Sequence, residues 1–436
     1  MAHSFGQIAR VLAVGVISAT VLLTTAASAA AAATHIAAAG DRGGHQLQRV
    51  AYFAQWKIYS GFFIKNVATS GAAQRLTTVN YAFGSVDSTG RCASADSWAD
   101  YLRPFAASES VDGLAEPGGN FNQLRLLKQL YPNLHVLISL GGFTLSTNFS
   151  QAVSTEAGRK ALAASCIDLF IRGNVPGNPG AFAGAFDGFD IDWEWPTLMP
   201  FNGGTASFSP ADRHNFTLML AEFRAQLDAL GKPAHKHYSL TAFLPADPVK
   251  IKQGFEVPGL FRYLDWATIQ GYDLHGAWEA TTNHQSALFS PPGDPSPEKF
   301  SDDLAIRTYL AADAPARKLV LGVPFYSHAW TNVVGGTDGL FGTGVQSGAY
   351  DQQGYNVVQG LLGSGFALHR DSDIGVAWLW NGSTFVTFDD KVAIGQKMDY
   401  VLSHDLGGAM VWELSGDDAS GTLVKAMAEG LEGHDD

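Results

Sequence analysis

Residues Asp187 to Pro196 read DGFDIDWEWP, a stretch in which acidic and apolar side chains alternate. Successive side chains of a β-strand point to opposite faces, so residues two apart share a face. One face of this strand then carries Asp190, Asp192 and Glu194. The other face carries only apolar side chains, those of Phe189, Ile191 and Trp193. In a closed barrel the apolar face would pack on the helices and the acids would point inward, with Glu194 at the C-terminal mouth.

Three neighbouring carboxyl groups in a barrel interior cannot all ionise cheaply. Burial and like charges raise their pKa values, so at least one should keep a proton near neutral pH, as a general acid must. A metal site is one alternative, but no nearby histidine or Asp-rich loop completes a coordination sphere. A solvated acidic edge is another, but such an edge would not be bracketed by Phe, Ile and Trp. We therefore predict catalysis, with Glu194 as the acid.

Strand-like apolar runs alternate with amphipathic segments from residue 48 onward, as expected for parallel strands covered on both faces. The eight runs are Arg49–Phe53, Thr77–Phe83, His135–Ser139, Gly188–Trp193, Tyr238–Phe243, Trp266–Gly271, Leu319–Pro324 and Ala409–Trp412. This alternation predicts an α/β fold of the (β/α)8 TIM-barrel type. An open, doubly wound sheet is the alternative that the pattern leaves.

Helices are predicted between these runs. The segments are Phe121–Leu130, Ser154–Ile171, Ser209 to about Leu230, Phe300–Ala312 and Val392–Ser403. Ser154 or Thr155 would cap the second segment. Ser209 would cap the third, with Pro210 at its first helical position.

A long interval separates the seventh run, which ends near Pro324, from the eighth, which starts near Ala409. It contains Gly-rich turns and short aromatic, β-like runs, which predict a small α+β insertion over residues 327–390. Insertions of this kind lie in βα loops, on the active-site face of a barrel. The insertion would wall one side of the cleft.

The N-terminal residues resemble an export signal. Arg10 precedes an apolar run from Val11 to Leu23, and Ala27-Ser28-Ala29 offers a cleavage site. We predict a signal peptide at 1–29, a spacer at 30–47 and a catalytic barrel at 48–430. The protein would then be secreted and extracellular, free of the membrane after cleavage. An uncleaved anchor is the alternative.

The net charge bears on the possible partners of the protein, and the cysteine content bears on its disulfide bonding. The formal net charge of -13 would repel phosphate backbones, so we expect no nucleic-acid partner. Only two cysteines occur, Cys92 and Cys166. Export favours a disulfide between them, while two free, buried thiols remain the alternative.

The motif Asp187-x-x-Asp190-x-Asp192-x-Glu194 resembles the signature of glycoside hydrolase family 18, and its Trp-Glu-Trp-Pro ending is typical of chitinases. Further stretches are similar to family motifs in the expected order: Ser139–Gly142, Tyr272–Gly276, Gly322–Tyr326 and Gly408–Glu413. Gln270-Gly271 departs from the Met-Thr or Met-Ser of many relatives and leaves the hydroxyl-bearing residue absent at this point of the sixth strand. The resemblance covers roughly residues 48 to 430.

The resemblance implies substrate-assisted, retaining hydrolysis of chitin and chitooligosaccharides, without a cofactor or metal ion. Glu194 would protonate the glycosidic oxygen, and the substrate's acetamido oxygen would attack the anomeric carbon. Asp192 would hydrogen-bond the acetamido N–H, and Asp190 would share a proton with Asp192. Tyr272 would hold the acetamido carbonyl by its hydroxyl. We expect a monomer.

The resemblance also implies a set of substrate-binding residues. Trp412 would form the floor under the sugar, and Asp273 would contact it. Tyr52 and Ser139 would hydrogen-bond the inner carboxylates or have a structural role only. Candidate stacking platforms, as opposed to ordinary loop packing, are Trp56, Phe143, Trp278 and Trp330.

Two other functions share parts of this pattern. An endo-β-N-acetylglucosaminidase acting on N-glycans would use the same carboxylates, although Trp195-Pro196 and the insertion favour a chitinase. A chitinase-like lectin would keep the barrel and lose the acid, whereas Glu194 is present here.

Overall fold

The computed structural model describes residues 46–199 and 208–433. Its strands, in chain order, are β1 (Gln48–Ala54), β2 (Thr78–Val86), β3 (Cys92–Ser94), β4 (His135–Gly141), β5 (Gly188–Asp192), β6 (Ser239–Leu244), β7 (Trp266–Ile269), β8 (Leu319–Pro324), β9 (His328–Val334), β10 (Thr343–Gln346), β11 (Ala367–Asp371), β12 (Val376–Trp380), β13 (Phe385–Phe388) and β14 (Gly408–Trp412). The predicted signal peptide lies outside the described residues, as does most of the spacer.

Eight of these strands form a closed parallel barrel. Their order is β1-β14-β8-β7-β6-β5-β4-β2, and a further pairing of β1 with β2 closes the ring. Val50 lies opposite Thr78 at this closure. The closed ring confirms the TIM-barrel prediction and excludes an open sheet. The eight predicted runs match these strands, while β3, which pairs antiparallel with β2, was not predicted.

Helices cover the outside of the barrel and connect its strands. The α-helices span Ile64–Thr69, Ala72–Arg75, Gly119–Leu130, Phe149–Val153, Glu156–Cys166, Asp212–Gly231, Pro248–Gly254, Val257–Leu260, Asp302–Ala311, Tyr355–Val358, Lys391–Ser403 and Thr422–Glu432. Within the described ranges, no helix combines the length and the apolar character needed to span a bilayer.

Helix starts agree in part with the predicted caps. The Thr155 hydroxyl accepts a hydrogen bond from the Gly158 backbone N–H at 3.0 Å, as a capping residue should. The predicted cap at Ser209 is wrong, because that helix starts at Asp212. The Ser209 N–H instead donates to the Asp212 carboxylate at 2.7 Å.

The interval between β8 and β14 contains a second, antiparallel sheet in the order β10-β9-β13-β12-β11. All five strands fall within the predicted range of 327–390. Buried aromatic side chains of this sheet form a small cluster of their own, which includes Trp330, Trp378 and Phe385.

The two faces of β5 are separated as the alternation predicts. Phe189 packs edge-on against Phe223 of the covering helix, with ring centroids 5.3 Å apart. At the N-terminal end of the strand, the Asp187 carboxylate pairs with Lys128 at 2.7 Å and Lys236 at 3.2 Å. Asp187, the first acid of the motif, therefore forms ion pairs at the N-terminal end of β5, away from Glu194 just beyond its C-terminal end.

Cys92 and Cys166 form a disulfide that joins β3 to the helix Glu156–Cys166. The alternative of two free thiols is thereby excluded.

Candidate active site

Asp190 lies at the centre of a fully buried hydrogen-bond cluster inside the barrel. Register places Ser139 of β4 and Thr241 of β6 directly beside it. Its carboxylate accepts hydrogen bonds from Tyr52 at 2.6 Å, Ser139 at 2.8 Å and Thr241 at 2.7 Å. Burial raises the pKa of Asp190, and the three hydroxyl donors oppose that rise by stabilising the charged form.

Asp192 and Glu194 form the next pair along the same face. Burial, the charges of Glu194 and Asp190, and a hydrogen bond with Glu194 raise the pKa of Asp192 well above its usual value. Burial and the charge of Asp273 raise the pKa of Glu194 to about 8, against the lowering effect of its bond with Asp192. This pair therefore holds at least one proton at neutral pH, as a general acid requires.

The hydrogen-bond partner of Asp192 differs from the expected one. The resemblance implied a proton shared with Asp190, whereas Asp192 is bonded to Glu194 and Asp190 is occupied by three hydroxyl groups. The Oδ1 atom of Asp192 is buried and has no hydrogen-bond partner. A buried carboxylate oxygen without a partner is energetically unfavourable, so this atom can accept a hydrogen bond from a ligand.

The Gly141-Gly142 pair at the end of β4 allows the chain to approach the carboxylate strand closely. Gly141 has a φ of +111°, and a Cβ atom there would lie 2.1 Å from the Asp192 carbonyl oxygen. The Gly142 N–H donates to that same oxygen at 2.7 Å. Ser146 then accepts a hydrogen bond from the Glu194 backbone N–H at 2.9 Å. These contacts fix the backbone between the two carboxyl groups of the pair.

Tyr272 lies buried beside the acids, three residues beyond the end of β7. Burial and the charges of Asp192 and Asp273 raise the pKa of Tyr272, so its hydroxyl stays protonated and can donate a hydrogen bond. Its ring stacks on Phe243 with centroids 6.1 Å apart, and Phe243 in turn stacks on Trp195 at 5.6 Å.

Aromatic rings line the opposite side of the mouth around Trp412 at the end of β14. Trp412 stacks on Phe83 at 5.9 Å and packs against Tyr52 at 5.1 Å and Trp56 at 6.4 Å. A cavity of about 660 Å³ opens here, lined in part by Trp56, Trp412 and Asp273. Flat apolar surfaces of this kind suit the faces of sugar rings.

Asp273 stands at the rim with a φ of +54° and 39% of its side chain exposed. It accepts hydrogen bonds from the Tyr326 hydroxyl and from His328 Nε2, the latter at 2.9 Å. The other ring nitrogen of His328 lies 2.8 Å from Asp351.

The structure places the predicted substrate-binding residues in three different environments. Trp330 is fully buried in the second sheet, where its indole N–H donates to the Glu279 carbonyl, so no sugar can stack on it. The expected hydrogen bonds of Tyr52 and Ser139 with an inner carboxylate are confirmed: both residues are fully buried and their hydroxyls donate to Asp190, so neither faces the cleft as a direct substrate contact. Phe143 and Trp278 are more than half exposed, and Trp56 is 42% exposed, so these three rings remain candidate platforms.

Some residues of the site were not predicted as such. They are Phe83, Ser146, Thr241, Tyr326, His328 and Asp351. Tyr326 lies in a motif that the sequence singles out, but the others occupy ordinary strand or loop positions. Among the described residues, no group of three or more His, Cys, Asp or Glu side chains is arranged to hold a metal ion.

The barrel and its proton-holding carboxyl pair place the protein among the glycoside hydrolases. The model of glycosyl hydrolases family 18 matches residues 48–417, and the chain belongs to that family.

Relatives and solved structures agree with this family. Chitinase C of Streptomyces lividans is 34% identical over 397 residues, which cover 88% of this chain and 59% of the relative. Chitinase 63 of Streptomyces plicatus is 32% identical, with 60% of its length covered. The chain thus spans about 60% of the length of these two relatives. The catalytic domain of chitinase B from Arthrobacter TAD20 matches with a TM-score of 0.82 and 41% identity, over 88% of this chain and 95% of that domain.

Proposed function

We propose that this protein is a chitinase that hydrolyses β-1,4 linkages between N-acetylglucosamine units, with retention and with the substrate's acetamido group as nucleophile. The observation that carries the proposal is the unpartnered Oδ1 atom of Asp192 beside a Glu194 whose pKa is raised to about 8. An acetamido N–H would supply the missing partner of Asp192. The family and the names of its relatives support the same substrate.

In the first step, Glu194 gives its proton to the glycosidic oxygen as the bond from that oxygen to the anomeric carbon breaks. The acetamido carbonyl oxygen forms a bond to the anomeric carbon, which yields an oxazolinium ion and a free sugar chain. Asp192 accepts the acetamido N–H and stabilises the positive charge. The Tyr272 hydroxyl donates to the acetamido oxygen and orients it for attack.

In the second step, the Glu194 carboxylate takes a proton from water. The water oxygen bonds to the anomeric carbon from the side that the leaving group vacated, and the bond to the acetamido oxygen breaks. Two inversions give net retention, and Glu194 regains its proton. Asp190, held by three hydroxyls, is the negative charge next to Asp192 that sets the charge state of Asp192 in both steps.

Product analysis tests this proposal. We expect N-acetylglucosamine oligomers and colloidal chitin to be cleaved, with the β-anomer appearing first, and we expect a sugar thiazoline that mimics the oxazolinium ion to inhibit. Initial formation of the α-anomer would contradict retention. Indifference to the thiazoline would indicate a protein nucleophile.

Variants test the role of the acid. Glu194→Gln is nearly isosteric and should lower kcat by at least about 100-fold without unfolding the protein. Glu222→Gln, on the outer helix Asp212–Gly231, is the matched control and should be fully active. Binding of oligomers without turnover by the unaltered protein would support a lectin instead.

The substrate range separates two related activities. A family 18 N-acetylglucosaminidase from Paenibacillus barengoltzii matches this chain with 29% identity and a TM-score of 0.71. Faster sugar release from an N-glycoprotein than from chitin oligomers would favour an endo-β-N-acetylglucosaminidase over a chitinase.

We further propose secretion, with residues 1–29 as the signal peptide and 30–47 as a spacer before the barrel, on the basis of the N-terminal sequence. Expression in a secreting bacterial host and N-terminal sequencing of the protein in the medium would test this. Recovery of the uncleaved chain in the membrane fraction would favour an anchor.

A further inference from the structure

His328 is a buried histidine that no catalytic step above uses. It is the first residue of β9, directly beyond the barrel strand β8, and only 2% of its side chain is exposed. Its Nε2 atom lies 2.9 Å from Asp273 Oδ1, and its Nδ1 atom lies 2.8 Å from Asp351 Oδ1. The ring thus links Asp273 at the rim of the cleft to Asp351 in the turn after β10.

Only one protonation state satisfies both contacts. A neutral imidazole has one N–H and one lone pair, so one of the two carboxylates would face a lone pair at hydrogen-bond distance. The doubly protonated imidazolium donates to both. Burial opposes this charge, but hydrogen bonds with Asp273 and Asp351 and their negative charges raise the pKa of His328 to about 9.

Asp351 is held firmly enough to act as an anchor. Its carboxylate also accepts hydrogen bonds from the Ala329 backbone N–H at 3.0 Å and from Gln346 at 2.7 Å. Burial raises the pKa of Asp351, but the bonds with His328 and Gln346 outweigh burial and lower it overall, so this carboxylate stays charged.

Two aromatic rings complete the surroundings of His328. Trp278 meets the imidazole edge-on, with centroids 5.1 Å apart, and Tyr326 does so at 5.7 Å. Perpendicular rings at this separation pack favourably. Trp278 itself is 61% exposed at the cleft rim, so the imidazolium supports an exposed ring as well as a carboxylate. The charged or titratable groups facing His328 are Asp273, Asp351 and Tyr326.

We propose that His328 is a positioning residue that, as an imidazolium anchored by Asp351, holds Asp273 and the Trp278 ring in place at the rim and so determines how tightly the sugar chain binds. This inference rests on the proposed function for its ligand, a chitooligosaccharide. It assigns His328 no contact with the reacting atoms, so its loss should raise KM more than it lowers kcat.

The charge of His328 can be measured without any substrate. Selective ¹⁵N-histidine labelling of the intact protein would show His328 with both ring nitrogens protonated at pH 7, and comparison with His328→Gln would assign the signal. A single-proton, neutral ring at pH 7 would overturn the proposal. Asp351→Asn should lower the pKa of His328 in the same experiment, which keeps the test available if His328→Gln fails to fold.

Binding and kinetics test the consequence. We expect His328→Gln to raise KM for a soluble chitooligosaccharide about 10-fold, with a smaller change in kcat, since an interaction with a charged group is lost. The dissociation constant of the oligomer should rise similarly when His328→Gln is added to the Glu194→Gln variant. His237→Gln is the matched control, because His237 pairs with Asp265 at 2.9 Å beside the start of β6, at the opposite end of the barrel, and should leave KM unchanged.

The outcomes separate this proposal from the proposed function. A folded His328→Gln variant with unchanged KM and affinity would overturn the positioning role while leaving chitinase activity intact. A protein that neither binds nor cleaves the oligomer would overturn the proposed function and the sugar-binding role together, and the NMR result would still decide the charge of His328.

Discussion

Tyr52→Phe removes one of the three hydroxyls that stabilise Asp190 inside the barrel. The lost bond is 2.6 Å long, joins fully buried groups and has a charged acceptor. Such a bond contributes about 1.5–3 kcal/mol, against about 1 kcal/mol for a neutral bond. For about 400 residues, an unfolding entropy of about 2.1 cal/mol/K per residue converts the loss into a Tm decrease of about 2–4 °C at pH 8.

The sign of the pH dependence follows from the raised pKa of Asp190. Because the pKa of Asp190 is higher in the folded protein than in the unfolded chain, where it is near 4, ionisation of this buried carboxyl lowers the stability as the pH rises above about 4. Tyr52→Phe raises the folded-state pKa further and so enlarges this loss of stability. As the pH falls towards 4, the raised pKa of Asp190 favours its protonated form, and the loss should decrease towards about 1 kcal/mol.

Calorimetric melting at pH 4 and pH 8 measures this difference. Tyr309→Phe is the control, because the buried Tyr309 hydroxyl donates to a neutral acceptor, the Pro245 carbonyl, at 2.8 Å. The decrease in Tm caused by Tyr309→Phe should be the same at both pH values. An equal loss for Tyr52→Phe at both pH values would refute the view that its hydroxyl supports a charged carboxylate.

Three further predictions concern stability and binding. Both carboxylate oxygens of Asp302 are buried without hydrogen-bond partners, 3.6 Å from Lys397 at the nearest, and burial raises its pKa. Ionisation of Asp302 therefore destabilises the fold as the pH rises. The Tm of Asp302→Asn minus the Tm of the unaltered protein should be larger at pH 9 than at pH 5, and a smaller difference at pH 9 would contradict this. Replacing both cysteines by serine should lower the Tm by roughly 5 °C, since the disulfide closes a loop with a sequence separation of 74 and contributes about 4 kcal/mol; an unchanged Tm would count against it. Trp278→Ala should raise KM at constant Tm, whereas Trp330→Ala should lower the Tm at constant KM, because only the first ring is exposed; the reverse pattern would contradict the assigned positions.

Much of the fold and the row of acids could be predicted because both depend on short-range periodicity. The alternation in Asp187–Pro196 places the acids on one face whatever the rest of the chain does. Asp190 then needs donors from neighbouring strands, and only the barrel register shows that Thr241 is one of them. A threonine in a strand carries no local sign of that contact.

The cleft rim depends on contacts between distant parts of the chain. His328 contacts Asp351, in the turn after β10, and Asp273 across the barrel mouth, and neither sequence separation suggests a contact. Trp330 follows the seventh predicted strand in sequence, which makes it a candidate stacking platform, but it lies within β9 opposite Phe385, so tertiary pairing buries it. Burial of a strand residue depends on its cross-strand and same-face neighbours, which the local sequence does not show.

Isotope-edited infrared spectroscopy of the protonated carboxyl group of Glu194 tests the central claim most directly. The difference between the unaltered protein and Glu194→Gln should show a protonated carboxyl band at pH 7 that disappears with a midpoint near pH 8. A band that is already absent at pH 7, with a midpoint near the ordinary glutamate value of about 4.3, would contradict the assignment of Glu194 as the proton donor.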